Sequence, residues 1–336
     1  MSLYNGNLNF RLPLAQVGGR SAAQFTIGLA LQQRWRIERF QPQCGPPCTP
    51  VDYPVDYAYG GLPVGYGPGT MIGRRVAEDP TEMLCTQQYY GDTISRLTFT
   101  AGDGTEYELI DQLTSGTAFS VIYVCGNMPP QYGGSRGTIF VTRNGSAATF
   151  ISDTVILDAN YSYLGAQFYP SGYLVMRDGT RYRIDEGLVS WTRDRNGNKL
   201  TFNYHPDFNS LTEVYDSLNR RVWIDYLAWG EEIHFKGFGG GVTRTIRVEY
   251  SPLENLLRSG SIQRVSDLFP ETLTPDTSYY NPIKVSAVVL PDGQRSYQFR
   301  YNSYGELARV VLPTGGRLST ISREQPLLRE RVPSVL

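Results

Sequence analysis

Apolar and polar residues alternate with a period of two along most of this chain. Leu200 and Phe202 are separated by polar residues, and Val222 and Ile224 repeat the same arrangement. Such alternation is typical of a β-strand with one buried and one exposed face. Residues 97–317 carry it in about a dozen or more short segments divided by turn signals. The sequence therefore predicts an all-β fold of antiparallel β-hairpins with few or no helices.

A polar turn and the strand that follows it occur twice, at a spacing of 22 residues. The first copy is Asp194–Tyr204 and the second is Asp216–Tyr226, with Gly197 and Asn219 at equivalent positions. Both residue types accept the positive φ that closes a tight turn. A repeat of this length indicates one supersecondary unit that buries its apolar face on neighbouring copies.

Three Asp-Gly pairs mark further hairpins between alternating segments. Such a pair is a strong short-range hairpin signal, because glycine accepts the positive φ of the turn. A tyrosine follows each pair, and its ring is expected to bury area while its hydroxyl finds a polar partner. The turns and their tyrosines are Asp103-Gly104 with Tyr107, Asp178-Gly179 with Tyr182, and Asp292-Gly293 with Tyr297.

Three stretches of this kind carry a resemblance to a known family. They are Tyr215–Arg220, the turn Asp194–Asn198, and Tyr301–Leu307, which contains Gly305. The pattern resembles the RHS or YD-repeat (tyrosine–aspartate) proteins of bacterial polymorphic toxins, the C components of insecticidal toxin complexes and the animal teneurins. Two further stretches are similar to landmarks of the same repeat region: residues 3–14 together with 17–20, and residues 311–317.

The resemblance implies hairpins wound into part of a curled YD-repeat shell. Family members enclose a toxic C-terminal domain in such a shell. Because no Asp-Pro-x-Gly motif occurs in this chain, self-cleavage and toxin activity are not implied. We expect the front part of a shell or a shortened relative. The recurring tyrosines are Tyr107, Tyr182, Tyr204, Tyr215, Tyr226, Tyr297 and Tyr301.

Composition divides the chain into three parts. Residues 1–75 predict an N-terminal hairpin around Gly18-Gly19, followed by a wrap rich in Pro, Gly and Tyr with little regular structure. Residues 76–318 form the YD-repeat-like β-sheet region. Residues 319–336 form a C-terminal tail.

Charge and hydropathy exclude two classes of partner. The chain has 31 basic and 32 acidic residues and a net charge of −1. It therefore lacks the excess of basic residues that is typical of proteins that bind nucleic acid. The longest apolar stretches, such as Phe119–Val124, have the length of a strand, so no membrane span is predicted. No signal peptide is visible, and the resemblance implies an extracellular or cell-surface location.

The chain has four cysteines: Cys44, Cys48, Cys85 and Cys125. An even count is compatible with disulfides in an oxidising compartment, and three pairings stay open. The two prolines between Cys44 and Cys48 argue against a thioredoxin-type redox motif. We interpret the cysteines as a disulfide that closes the proline-rich loop, or as buried thiols, in preference to a zinc site.

Candidate catalytic residues are few. The two histidines, His205 and His234, are interpreted as strand or turn residues. The carboxylate pairs Asp185-Glu186 and Glu231-Glu232 are adjacent in sequence, and neighbours on a strand point to opposite faces. The turn at Asp194 lacks the distal acidic ligand of a calcium loop. The sequence therefore predicts no enzyme, no cofactor and no metal site.

The function expected from these observations is structural. The chain would form a scaffold or an encapsulating wall. Its partners would be further YD repeats or other copies of itself, because open sheet edges must be paired or covered. The alternative is an extracellular adhesin or carbohydrate-binding β-module, in which tyrosines of residues 53–66 contact cell-surface glycans.

Overall fold

The computed structural model describes residues 10–20, 23–31, 35–40, 51–56, 66–77, 89–123, 134–143, 148–158, 167–237, 241–272 and 277–319. Within these ranges the chain forms 23 β-strands, one short α-helix (α1, Val265–Leu268) and one 3-10 turn (Leu253–Asn255). The strands pair antiparallel with their neighbours, mostly as consecutive hairpins. The prediction of an all-β fold of antiparallel hairpins is confirmed.

The first four strands form two small sheets of two strands each: β1 (Phe10–Arg20) with β2 (Ala23–Leu31), and β3 (Trp35–Phe40) with β4 (Val51–Asp56). Strand β4 corrects the expectation of little regular structure in the Pro-, Gly- and Tyr-rich wrap. Its valines and its tyrosine favour a strand. Pro54 is tolerated because a strand of a two-stranded sheet has one side without ladder hydrogen bonds.

Contacts within the fold divide the chain into two compact units. The barrel unit comprises residues 16–25, 64–221 and 336, and the meander unit comprises residues 1–15, 26–63 and 222–335. The division at residues 75 and 318, which rests on composition, stays a prediction.

The barrel unit contains these strands within the described residues: β5 (Gly69–Ala77), β6 (Tyr89–Ala101), β7 (Glu106–Asp111), β8 (Phe119–Tyr123), β9 (Ser135–Thr142), β10 (Ala148–Leu157), β11 (Gln167–Phe168), β12 (Gly172–Met176), β13 (Arg181–Asp185), β14 (Leu188–Arg193), β15 (Lys199–Tyr204) and β16 (Leu211–Asp216). Eight of them pair in the order β5–β6–β7–β9–β10–β12–β13–β14. Leu188 of β14 then pairs with Thr70 of β5, which closes the path.

Side chains fill the interior of the closed eight-stranded sheet, because a barrel of eight strands is just wide enough to be filled by them. They come from alternate positions of the strands, which is why the sequence has a period of two. Strands β15 and β16 continue the sheet from β14, and Phe202 contacts Phe25 with ring centroids 5.1 Å apart. The large buried side chains of the interior include Met71, Leu97, Phe99, Leu109, Phe140, Phe150, Leu174 and Ile184.

The meander unit continues with seven strands that pair in chain order: β17 (Arg221–Leu227), β18 (Gly230–Lys236), β19 (Thr243–Pro252), β20 (Ile283–Val289), β21 (Ser296–Tyr301), β22 (Leu307–Val311) and β23 (Arg317–Ser319). The buried positions alternate along each strand and include Ile224, Ile233, Val248, Val288, Phe299 and Val310.

A separate aromatic cluster holds the start of β3. Trp35 packs with Leu268, Phe269 and Tyr304, all of them buried. Its indole Nε1 donates a 3.1 Å hydrogen bond to the carbonyl oxygen of Tyr304. The ring of Phe269 lies 4.7 Å from that of Trp35. The cluster buries large apolar area and satisfies the one polar atom of the indole.

Candidate functional site

The hairpin turns of the repeat share one backbone geometry. In six of them the first residue donates its N–H to the carbonyl of the fifth, and its own carbonyl accepts the N–H of the fourth. The fourth residue has a positive φ in every case. This is a type I turn followed by a left-handed residue. The turns begin at Ala101, Met176, Asp194, Asp216, Asn302 and Leu312, and their fourth residues are Gly104, Gly179, Gly197, Asn219, Gly305 and Gly315.

Asp or Asn at the first position of a turn caps it with its side chain. Oδ1 of Asp194 accepts the backbone N–H groups of Asn196 and Asn198, each at 2.9 Å. Oδ1 of Asp216 accepts those of Leu218 and Arg220 at the same distance. The Arg220 guanidinium donates to Oδ2 of Asp216 at 2.7 Å. The carboxylates are therefore fully engaged within the turns.

Asn302 repeats this arrangement without a charge. Its Oδ1 accepts the N–H groups of Tyr304 at 3.1 Å and Glu306 at 2.9 Å. Its amide donates to the Glu306 carboxylate at 2.8 Å. The three turns at residues 194, 216 and 302 thus use one hydrogen-bond pattern in both units.

The Asp-Gly pairs place their aspartate differently. Asp103 and Asp178 are the third residues of their turns, and each accepts the N–H two residues ahead, in Thr105 and Thr180, at 2.9 Å. The turn around Asp292 is one residue longer. Hydrogen bonds from the backbone and side chain of Arg295 and from the backbone of Gln294 lower the pKa of Asp292 from 3.8 to about 2. Aspartate therefore closes the turns from two positions.

Two of the recurring tyrosines have the same anchoring role. The hydroxyl of Tyr204 donates to the carbonyl oxygen of Val189 at 2.8 Å, and that of Tyr301 donates to Val285 at 2.7 Å. Burial raises the pKa of both phenols. Each tyrosine ends its strand next to a register shift. The hydroxyl thus links the end of its strand to the preceding strand through a hydrogen bond.

The other recurring tyrosines lie in different surroundings. Tyr107 and Tyr182 pack near Phe99, with ring centroids 6.2 Å and 5.6 Å from it. Burial, followed by nearby acidic groups, raises the pKa of Tyr182. The ring centroid of Tyr297 lies 6.3 Å from that of Phe10. Tyr215 is paired with Thr201 on the neighbouring strand, and Tyr226 is 41% exposed.

A buried arginine network holds one end of the barrel unit. The side chains of Arg136, Asp111 and Asp158 are fully buried. Arg136 donates to both carboxylate oxygens of Asp158, at 2.8 and 2.5 Å, and lies 3.4 Å from Asp111. It also donates to the Thr114 hydroxyl and the Thr93 carbonyl, each at 2.8 Å. The network joins β6, β7, β9 and the end of β10.

The sequence around Arg136, Gly133-Gly134-Ser135-Arg136-Gly137, also matches the pattern G-x-S-x-G. A nucleophile elbow places its serine in a sharp turn between a strand and a helix. Ser135 instead begins strand β9, and its hydroxyl accepts the N–H of Gly137 at 3.3 Å. The local structure is therefore not that of a nucleophile elbow.

The two histidines lie in different units, His205 in the barrel unit and His234 in the meander unit. His205 is partly exposed, and its ring is tilted against that of Phe208 with centroids 4.9 Å apart. His234 Nδ1 lies 3.0 Å from Thr245 Oγ1, and Nε2 lies 3.0 Å from Asp225 Oδ2. The ring stacks on Trp223 at 5.1 Å. These contacts follow from the register of three neighbouring strands, and the absence of enzymatic activity stays a prediction.

An open groove lies on the meander unit. It encloses about 640 Å³ beside strands β19, β20 and β21. Its lining includes the small residues Ser286 and Ala287, together with Trp229, which is 43% exposed. Gln298 and Arg300 also line the groove, and both side chains carry hydrogen-bond donors. An aromatic ring beside polar groups suits a polar ligand with an apolar face.

Several predicted features fall outside the described residues. All four cysteines lie there, as do Tyr57 and Tyr59 of residues 53–66. Among the residues that are described, no group of three or more His, Cys, Asp or Glu side chains is arranged to hold a metal ion. No helix in the same residues has the length and apolar character needed to cross a membrane.

These features define an all-β protein of repeated hairpins with a shared turn. A comparison with models of protein families finds no match for this chain, and a comparison with curated proteins finds no similar sequence.

Proposed function

We propose that the chain is a non-enzymatic structural segment of RHS or YD-repeat type, which serves as a scaffold or wall outside the cell. The observation that carries the proposal is the recurrence of one hairpin unit in both units of the fold. Turns at Asp194, Asp216 and Asn302 have the same hydrogen bonds, and Tyr204 and Tyr301 anchor the adjoining strands alike. A unit that recurs with its side-chain chemistry intact suits extension by further copies.

Open strands support pairing between copies. In the described part of the chain, β1 with β2 and β3 with β4 form sheets of only two strands. Each of these strands has one side without a partner strand in its sheet. Unpaired backbone groups on such a side can pair with another chain. Copies of this protein, or further repeats, are the proposed partners.

The test is the mass and shape of the purified chain over a concentration series, by light scattering and negative-stain imaging. We expect oligomers or filaments that grow with concentration. Lysines at the exposed positions of β2 (Thr26→Lys with Ala30→Lys) should dissociate them, because charge on an edge strand opposes pairing. The control pair Val242→Lys with Thr243→Lys adds the same charge at exposed positions of the meander unit. A monomer at every concentration would contradict pairing between copies.

The groove of the meander unit favours a second candidate, a carbohydrate-binding module. The exposed indole of Trp229 can contact the apolar face of a sugar ring, and Gln298 and Arg300 can donate to its hydroxyls. Titration with a panel of neutral oligosaccharides should give saturable binding that Trp229→Ala abolishes. Tyr279→Ala removes an aromatic ring that is 59% exposed outside the groove, and it should leave binding unchanged. No saturable binding by any oligosaccharide would reject this candidate.

A further inference from the structure

Three basic residues stand side by side on the exposed face of the barrel unit. Arg181 of β13 is directly opposite Arg193 of β14, and Arg193 is directly opposite Lys199 of β15. All three are exposed, whereas Ile184 and Leu200 of the same strands are buried. Because neighbouring strands lie roughly 4.8 Å apart, the outer two cations originate about 10 Å apart.

This arrangement has an energetic cost in the protein alone. Like charges directly opposite each other destabilise a sheet. Within the described residues, none of Arg181, Arg193 and Lys199 forms an ion pair that would offset the repulsion. A bound anion would remove it.

The next row of the same sheet shows how a cation is neutralised when a partner is present. Arg183 donates to both oxygens of Asp153, at 2.9 and 2.7 Å, and to Asp185 at 2.7 Å. The hydrogen bond from Arg183 lowers the pKa of Asp153. Among the residues that the structure describes, no carboxylate pairs with residues 181, 193 and 199 in this way.

Two turns add cations at the same end of the strands. Arg177 and Arg195 are exposed in the turns that begin at Met176 and Asp194. The turns are neighbours, because a Cβ on Gly179 would lie 3.4 Å from Cβ of Arg195. Asp178 is the exposed carboxylate among them, and its Oδ1 accepts the N–H of Thr180.

We propose that this basic patch, formed by Arg177, Arg181, Arg193, Arg195 and Lys199, binds an acidic polysaccharide. A linear polymer with repeated carboxylate or sulfate groups can lie across the strands and meet successive cations. Guanidinium groups suit both kinds of anion, because their donors form a planar fork. The proposal is independent of the groove, since it concerns acidic polymers and the other unit.

The aromatic residues near the patch favour a polysaccharide over single-stranded nucleic acid. Lys199 Nζ lies over the ring of Trp191 at 5.2 Å, and the Arg183 guanidinium lies over that of Tyr173 at 4.9 Å. The two rings contact each other with centroids 6.1 Å apart. They are thus engaged by cations and by each other, whereas proteins that bind single strands offer aromatic faces on which bases stack.

The experiment compares two variants of equal charge. The patch variant removes three positive charges from the basic patch, through Arg181→Gln, Arg193→Gln and Lys199→Gln. Lys236→Gln with Arg244→Gln and Arg317→Gln removes the same charge from exposed positions of the meander unit. Binding to heparin, polygalacturonate, neutral dextran and a single-stranded DNA oligonucleotide is measured over a range of salt concentrations. Urea unfolding of each variant reports stability.

We expect the native chain to bind heparin and polygalacturonate, more weakly as salt rises. The patch variant should lose about tenfold in affinity and the control about twofold or less, since each exposed ion pair contributes little alone. The patch variant should be at least as stable as the native chain, because a repulsion is removed. If it fails to fold, Arg193→Gln alone should weaken binding in the same direction. Equal loss in both variants, binding no better than to dextran, or tighter binding to DNA would overturn the proposal.

Discussion

The hydroxyl of Tyr204 donates a 2.8 Å hydrogen bond to the carbonyl oxygen of Val189 on the preceding strand. Tyr301 makes the same contact with Val285 in the meander unit. Each carbonyl belongs to a residue near the start of its strand, and each tyrosine ends the strand that follows. Tyr204 and Tyr301 thus join neighbouring strands through a hydrogen bond, in addition to burying an aromatic ring.

Removal of these hydroxyls should destabilise the protein. Tyr204→Phe and Tyr301→Phe each leave a carbonyl oxygen without its donor, which we expect to cost about 1–2 kcal/mol. Tyr169→Phe is the control, because its ring is 44% exposed. Urea unfolding gives the free energies. Equal effects at all three positions would show that the two hydroxyl contacts do not stabilise the fold.

Sequence patterns were sufficient to predict the strands and many of the turns, because alternation and turn chemistry are local. Gly197 and Asn219 have φ values of 90° and 57°, as turn residues of that kind require. Asp103 is the third residue of its turn and Asp194 the first. These different positions were not predicted, because the sequence does not mark the residue at which each turn begins. Which tyrosines donate to a carbonyl depends on register shifts, which the sequence does not display.

The buried charge network was missed for a related reason. Arg136 lies 22 residues from Asp158, 25 from Asp111 and 43 from Thr93. No short motif joins them, and an isolated arginine in an alternating segment is indistinguishable from a surface residue. Only the pairing of β6, β7, β9 and β10 brings them together.

The energetic cost of a positive φ at the fourth turn position can be measured at Gly104, where an added side chain would not clash. Gly104 has a φ of +86°, and a Cβ there would meet nothing within 4 Å. Gly104→Ala should therefore cost about 1–2 kcal/mol through the left-handed conformation alone. Asn219→Gly should change stability little, since glycine accepts that conformation. Urea unfolding of both variants tests this, and a neutral Gly104→Ala would mean that the turn adopts another geometry.

Acid should weaken the turn at Asp292. The pKa of Asp292 in the folded protein is about 2, against an ordinary 3.8. The carboxylate's contribution to the free energy of unfolding is therefore fully present above pH 3.8 and is lost as the pH falls through about 2. Direct titration of the carboxyl by NMR should give a midpoint near that value. Asp292→Asn should make stability less dependent on pH between these limits. Asp207→Asn, at a carboxylate that is 76% exposed, controls for net charge. A midpoint at the ordinary value would contradict the contacts with Arg295.

The buried network makes the most severe prediction. Arg136→Met leaves Asp158 and Asp111 buried without their cation, so it should cost about 3–5 kcal/mol, as breaking a buried ion pair does. Adding Asp158→Asn removes one of the unpaired charges, and the double variant should recover part of the loss despite carrying a second substitution. Arg96→Met breaks an exposed pair with Glu108, whose nitrogen and oxygen are 3.2 Å apart. That control should cost at most about 1 kcal/mol. Urea unfolding of the native chain and the three variants gives the free energies. If Arg136→Met cost no more than Arg96→Met, or if Asp158→Asn added to its loss, the network would not stabilise the barrel unit through charge pairing.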